Sequence, residues 1–216
     1  HLPLYRQEQI LRSRYGIELS RKTLTDWVGI VAGWLKPIYN HLRTELRQSG
    51  YVQVDETPVK YALAEGGGSG QGYLWVYHPP GGDVLYEWHT SRAAECLRGT
   101  LDEFCGKVQC DGYSAYSSYA KGREGIELVG CWAHARRRFH EAQEEAPKLA
   151  GWFLNQIGLL YRIEARLREA HASAKLREVT RAAESRIILE RIRLWRKAQA
   201  RGRPAAQSDG RCHRLC

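Results

Sequence analysis

Apolar residues recur at helical spacing in the first part of the chain. Between residues 24 and 46 they return every three or four positions, which predicts one long amphipathic helix. A shorter helix is predicted from Leu4 to Tyr15, ended by Gly16, and Ser20 is placed to cap the second helix. Pro37 lies inside the second helix and is expected to kink or interrupt it.

The middle of the chain changes to short segments rich in β-branched and aromatic residues. Glycine- and proline-rich turns separate the first three of these segments, which predicts hairpins. Helical stretches separate the third from the fourth and the fourth from the fifth. This layout is that of a ribonuclease-H-like mixed sheet. The predicted strands are residues 51–55, 72–77, 84–88, 107–110 and 126–129, with a helix at 91–104.

Helical patterning returns after residue 131, with Pro147 expected to stop the first of three helices (132–146, 149–170 and 176–200). The fold class is therefore α+β, with an N-terminal helical hairpin and a C-terminal helical insertion. The end of the chain loses its hydrophobic periodicity and is expected to be an aberrant, disordered tail. The predicted domains are 1–48 (helix-turn-helix-like), 49–146 (ribonuclease-H-like core), 147–200 (helical insertion) and 201–216 (tail).

The positive charge is concentrated in the last third of the chain. Residues 1–131 carry 14 Lys and Arg against 15 Asp and Glu, whereas residues 132–216 carry 19 against 9. An excess of that sign favours a polyanion such as nucleic acid or anionic lipid, although a solvated helical face also accounts for part of it.

The composition also indicates where the protein works. The chain has no apolar run long enough to span a bilayer, and its first residues do not resemble a secretory signal. We therefore expect a cytoplasmic protein whose six cysteines are free thiols.

Two predicted strands each deliver an aspartate at their end. Asp55 closes the first strand ahead of Pro58, and Asp111 follows the fourth strand and precedes Gly112. Carboxylates at the ends of neighbouring strands can share divalent metal ions, which stabilise the attacking and leaving oxygens of a phosphodiester displacement. Either aspartate alone fits an ordinary polar turn, but the two together in a basic chain favour a metal site.

Six short runs, in order, resemble the insertion sequence 66 family of bacterial DDE-type transposases. They are residues 1–8, 19–28, 55–59, 72–77, 110–113 and 131–139. The resemblance implies a ribonuclease-H-like core in which three acids bind two Mg²⁺ (or Mn²⁺) and cut and join double-stranded DNA at element ends. By position, Asp55 resembles the first acid and Asp111 the second. Glu56 points to the opposite face of its strand and is interpreted as structural.

The third acid of the family has no match in this sequence. In the family it lies downstream on a helix, in an Asp/Asn-Asn-x-Ala-Glu run, whereas Glu184 and Glu190 lie inside the helical insertion. The Gly/Arg/Cys-rich end resembles translation in a shifted frame. We therefore expect a truncated transposase that is inactive or nearly so, and whether it acts as an enzyme stays open. The alternative is a non-catalytic DNA-binding remnant.

Cys131 and His134 form a Cys-x-x-His pair at the start of a predicted helix. Residues three apart share one helical face, so the pair is a candidate for supporting the active site or positioning DNA. A buried cysteine and histidine fit the same spacing. A structural zinc site needs four ligands, which Cys212, His213 and Cys216 would have to complete.

The candidate DNA-binding residues are Arg136, Arg137, Arg138, Arg21 and Lys22. Three successive helical residues span more than half a turn, so at least one of the three arginines faces solvent or DNA. A solvated helix end explains each of them equally well. The first two helices resemble a helix-turn-helix, but a hairpin that only packs on the next domain fits too. A homo-oligomer stays open.

Four aromatic residues lie in the predicted strands and at the start of a helix. Trp75, Trp88, Trp132 and Tyr73 are expected to be core residues rather than base-stacking groups, because strand and helix patterns turn them inward.

Overall fold

The computed structural model describes residues 2–63 and 67–201, with side chains up to residue 198. The predicted tail, beyond its first residue, lies outside the described residues. The strands are β1 (Tyr51–Ala62), β2 (Ser69–His78), β3 (Leu85–His89), β4 (Gly106–Cys110) and β5 (Ile126–Gly130). The helices are α1 (Leu4–Tyr15), α2 (Arg21–Gln48), α3 (Glu95–Leu101), α4 (Ser114–Ala120), α5 (Trp132–Glu141), α6 (Pro147–Glu169), α7 (Ala174–Thr180) and α8 (Arg186–Arg201), and a π-helical turn (Arg181–Ser185) precedes α8.

The five strands form one mixed sheet in the order β3-β2-β1-β4-β5, so the predicted α+β class is confirmed. β1 and β2 pair antiparallel, as do β2 and β3. The chain divides into two compact units. The sheet unit contains the residues up to 108 together with 119–127, and the helical unit contains residues 109–118 and those from 128 onward.

β1 continues through Pro58, so the prediction that this strand ends at Asp55 was wrong. Pro58 stays in register opposite Tyr73 of β2. β4 has only five residues and begins beside Gly50, where the Lys107 N–H donates to the Gly50 carbonyl at 3.0 Å. Since such a short strand ends well before Pro58, the missing proline N–H costs no ladder hydrogen bond on that edge.

A buried ion pair lies in the core of the sheet unit. Val52, Val54 and Glu56 alternate toward this core, and the Glu56 side chain has no exposed surface. The Arg92 Nε donates to the Glu56 carboxylate at 2.6 Å, and a second guanidinium nitrogen lies 2.5 Å from the same oxygen. A buried carboxylate requires such a partner, because leaving it unpaired in the interior is costly.

Glu87 joins three elements of the sheet unit. The hydroxyls of Tyr39 on α2 and Thr100 on α3 both donate to one oxygen of this β3 carboxylate. Burial, together with the hydrogen bond to Glu87, raises the pKa of Tyr39 to about 12, so the phenol remains a donor at neutral pH. These contacts fix both helices against the same side of the sheet, on which Tyr77 is fully buried.

The N-terminal helices follow the sequence pattern closely. Gly16 ends α1 in the left-handed conformation (φ 64°), and the Ser20 side chain accepts a hydrogen bond from the Thr23 N–H at 3.1 Å. α2 continues through Pro37, so of the two expected effects of this proline, a kink or an interruption, the interruption does not occur.

Two helix boundaries differ from the prediction. α3 covers only Glu95–Leu101 of the expected 91–104. α5 ends at Glu141, and Pro147 is the first residue of α6 rather than the end of the preceding helix. Proline suits that position because its missing N–H would have no helical partner there.

The helical unit has a core of its own, in which aromatic rings join α5, α6 and α8. Phe139 stacks on Phe153 with centroids 4.3 Å apart, and Trp152 stacks on Trp195 at 5.4 Å. Aliphatic residues of α6 and α8 complete this core. Within the described residues, no helix is long and apolar enough to cross a membrane.

We predict that Arg92→Met lowers the free energy of unfolding by about 3 kcal/mol, because it leaves Glu56 buried and unpaired. Urea unfolding measures this change. Arg12→Met is the matched control, since Arg12 lies 3.8 Å from Glu18 in a fully solvated pair and should cost less than about 1 kcal/mol. Replacing Glu56 and Arg92 together by Met should recover part of the loss. Equal effects of the two single variants would contradict the prediction.

Candidate functional site

Asp55 lies on the exposed face of β1, opposite Val76 of β2. One of its carboxylate oxygens accepts the Glu56 N–H at 3.1 Å. Glu56 itself points into the core, as strand alternation predicts, and is held by Arg92. Asp55 thus presents its carboxylate to the outer face of the sheet, while Glu56 is buried in the core and paired with Arg92.

The aromatic residues beside Asp55 are less buried than predicted. Trp88 of β3 is 45% exposed, so its assignment to the core was wrong, whereas Trp75 is fully buried as expected. The Trp88 ring lies over Gly72, where a Cβ would approach it to 2.3 Å, and meets Tyr61 edge-on at 5.6 Å. Trp88 therefore lies on the partly solvated face of the sheet that also carries Asp55, whereas the half-buried Tyr73 alternates onto the face of Trp75.

Asp111 follows β4 directly and is held by its own turn. Gly112 has φ 83°, a conformation that favours glycine, and the Asp111 carboxylate accepts the Tyr113 N–H at 2.8 Å. The other carboxylate oxygen lies 3.8 Å from the Arg138 guanidinium of α5. Asp111 is only 11% exposed, so its carboxylate is more shielded from solvent than those of the surface ion pairs.

A cleft of about 350 Å³ opens beside Asp111 in the helical unit. Cys131, the residue that precedes α5, lines the same cleft, so the structure brings these two predicted site residues together. The remaining lining residues are Cys110, Gly112, Tyr116, Ser117, Leu128, Val129, Gly130 and Ala135.

The start of α5 carries the other predicted residues. Arg136, Arg137 and Arg138 are all exposed, and His134 is partly buried one turn after Cys131. Arg138, predicted only as a DNA-binding residue, faces Asp111, 27 positions earlier, and no local pattern in the sequence signals that contact. In the described part of the chain, Arg136 and Arg137 have no carboxylate within 4 Å.

Three acids of the helical insertion, Glu164, Glu184 and Glu190, are engaged in ion pairs. Glu184 receives two hydrogen bonds from Arg166, at 2.6 and 2.7 Å. Arg181 binds Glu164 through two further bonds, and the hydrogen bond from Arg181 lowers the pKa of Glu164. Glu190 lies 3.3 Å from Arg193.

Among residues 2–63 and 67–201, no group of three or more His, Cys, Asp or Glu side chains is placed to hold a metal ion. Cys131 and His134 therefore gain no further zinc ligand from this part of the chain. Cys212, His213 and Cys216, the residues that would complete a zinc site, lie outside the described residues.

Arg21 and Lys22 are exposed at the start of α2 and already paired. Arg21 donates to Glu8 of α1 at 2.9 Å, and Lys22 donates to Asp26 at 2.7 Å. Phosphate would have to compete with these carboxylates, so both residues stay candidates for DNA contact with part of their charge balanced.

The fold and these side chains define an α+β protein with one aspartate on the central strand of a mixed sheet and another directly after the neighbouring strand. The chain belongs to the transposase IS66 family, which it matches over residues 1–214. The resemblance drawn from the six short runs is thereby confirmed.

Two relatives from Sinorhizobium fredii are similar along most of the chain. The uncharacterized protein y4qI is 32% identical over 211 residues, which cover 91% of this chain and 39% of the relative. The uncharacterized protein y4jD is 33% identical over 213 residues, covering 89% and 40%. The chain thus spans about two fifths of the length of these curated relatives.

Proposed function

We propose that this chain is the portion of an insertion-sequence DNA transposase that contributes the first two metal-binding acids, in a ribonuclease-H-like sheet. The observation that carries the proposal is the family match over residues 1–214, combined with the placement of Asp55 and Asp111 on and after neighbouring strands. The substrate class that follows is double-stranded DNA at element ends.

Asp55 and Asp111 are the proposed ligands of Mg²⁺ (or Mn²⁺). Their donors are carboxylate oxygens, which suit hard divalent cations, and Asp111 is held in one orientation by the Tyr113 N–H. A bound ion would polarise a phosphodiester and activate water for attack. The donor chemistry fits, but the described residues supply no third acid, so two ions would lack ligands.

Arg138 has a different role from its neighbours in this proposal. Its guanidinium lies against Asp111 and balances the carboxylate, whereas Arg136 and Arg137 remain exposed and available for phosphate. Cys131 and His134 support the start of α5 and hence the position of these arginines. The helical unit therefore joins one metal-binding acid to a phosphate-binding helix end.

The chain alone is proposed to be catalytically deficient. Glu184 and Glu190, the candidate replacements for the missing acid, are held by Arg166 and Arg193. The same observation favours the second candidate function, a DNA-binding transposase remnant without catalysis. The two differ in whether any strand cleavage occurs.

A strand-cleavage assay with Mg²⁺ or Mn²⁺, on DNA carrying the element's ends, tests the proposed deficiency. We expect no cleavage above background, because two-metal chemistry needs more negative ligands than Asp55 and Asp111 provide. Robust cleavage that Asp55→Asn abolishes and Asp83→Asn leaves intact would contradict this expectation. Asp83 is a suitable control because it is exposed in the loop before β3.

Metal binding can be measured separately, by titrating the chain with Mn²⁺ in a calorimeter. Asp55→Asn and Asp111→Asn should each weaken binding about tenfold, because fewer charged ligands lower the affinity. The double variant should bind Mn²⁺ more weakly than either single variant, because each substitution removes one charged oxygen ligand. An unchanged affinity in both single variants, or an equal loss in Asp83→Asn, would contradict the proposal.

DNA binding should be salt-dependent and nearly independent of sequence, because it rests on phosphate contacts. Fluorescence anisotropy over a salt series should show that Arg136→Gln with Arg137→Gln reduces the slope of log K against log salt by about two. Arg193→Gln, which removes an exposed but paired arginine, is the control. The double variant Arg21→Gln with Lys22→Gln measures, by the same slope, how much the basic residues at the start of α2 contribute. Salt-independent binding, or none at low salt, would refute the proposal.

A further inference from the structure

The middle of α2 exposes a continuous apolar surface in the sheet unit. Trp34 is 74% exposed and Trp27 is 51% exposed, and every residue from 25 to 38 is solvent-exposed. Apolar patches of this extent on a soluble protein mark interaction sites. The large exposed side chains of this segment are Trp27, Val28, Ile30, Val31, Trp34, Leu35 and Ile38.

Both ends of the same helix are anchored within the sheet unit. Leu24 and Leu46 are buried, and Arg47 donates to the carbonyls of Gly99 and Thr100 at 2.9 and 2.8 Å. Among the described residues, no other part of the chain buries the middle of this helix. The exposed segment is about 20 Å long, at 1.5 Å per residue, so it can receive a helix of similar length.

The exposed apolar side chains repeat every seven residues. Val31 and Ile38 form one row, which the buried Leu24 begins, and Trp27 with Trp34 and Val28 with Leu35 form the rows on either side. At about 100° per residue, all of them lie within about 60° of Val31. This is the spacing of a coiled-coil seam, which packs against another helix rather than against a flat surface.

The seam contains no charged residue. Residues 27–35 carry none, and Asp26 and Lys36 on either side project about 140° away from Val31. Pairing through the seam would therefore leave both charges in water and avoid the cost of burying them.

We propose that this seam pairs antiparallel with the same seam of a second copy of the chain. The rows are self-complementary about Val31: a two-fold axis at this residue places Trp27 against the partner's Trp34 and Val28 against the partner's Leu35. Such an isologous contact closes as a dimer. Antiparallel pairing opposes the two helix dipoles, and it places the two sheets, each joined to the C-terminal end of its α2, at opposite ends.

Sedimentation equilibrium of the whole chain tests the proposal. We expect a mass that rises with concentration to twice 24.7 kDa. Trp34→Glu and Val31→Glu should each remain at the monomer mass, because each buries two charges in the dimer. Neither should unfold the monomer, since both side chains are exposed there, and circular dichroism checks this. Ile187→Glu, at a 61% exposed position on α8, should dimerise like the parent.

Disulfide formation tests the antiparallel register. Val31→Cys should form a cross-linked dimer under mild oxidation, above the background that the exposed Cys105 gives the parent. Trp27→Cys should not, because its partner in this register is residue 34. Cross-linking by Trp27→Cys as efficient as that by Val31→Cys would indicate parallel pairing and overturn the proposal.

A parent chain that stays monomeric at all concentrations would also overturn the proposal, and would assign the seam to another segment or another protein. So would a dimer that Trp34→Glu leaves intact. None of these outcomes depends on metal or DNA binding, so they are independent of the proposed transposase function.

Discussion

Glu56 has no exposed side-chain surface, and Arg92 holds its carboxylate at 2.5 Å. Because side chains alternate along a strand, a buried Glu56 forces Asp55 to the outer face, and a slip of one residue would exchange the two. A charged pair is a costly way to fix a register, since an apolar residue would be buried more cheaply. It is, however, selective, because only Glu56 can meet Arg92, whereas valines on the same face could exchange places.

The same side of the sheet concentrates the polar contacts of the sheet unit. Trp75 of β2 lies directly opposite Glu87 of β3 on one side and directly opposite Glu56 of β1 on the other. Two carboxylates therefore flank one buried indole. Tyr39 and Thr100 bind Glu87 from two helices. Since these groups are satisfied by one another, the helices are tied to the core face, and the opposite face, with Asp55, is left clear of them.

Local patterns in the sequence were sufficient to predict all five strands, and the caps at Gly16 and Ser20. Prolines were the main source of error, because their effect depends on neighbours far along the chain. Pro58 is tolerated in β1 since β4 is short, and Pro147 begins a helix because α6 follows it immediately. Trp88 was assigned inward from the alternation of the predicted strand, yet its register opposite Leu74 places it on the outer face.

The sequence was sufficient to name individual candidate site residues, but not to predict the contacts between them. Asp55, Asp111 and the arginines of α5 could be named from short motifs, and Asp111 and Cys131 do line one cleft. The contact between Arg138 and Asp111 could not be foreseen, because it joins α5 to the turn after β4 across 27 residues. Neither could the Arg166–Glu184 pair, which removes Glu184 from the set of available acids.

The 19 Lys and Arg residues of the last third are more cations than are free to meet a phosphate. Arg166 and Arg181 are each bound to a carboxylate through two hydrogen bonds, and their pairs join α6 to the π-helical turn. Such pairs contribute to long-range attraction only as dipoles, whereas unpaired cations act at full charge. In the proposed function, net charge therefore sets how strongly the helical unit attracts DNA from a distance. The proposed points of phosphate contact are Arg136 and Arg137, which are exposed and have no carboxylate within 4 Å among the described residues.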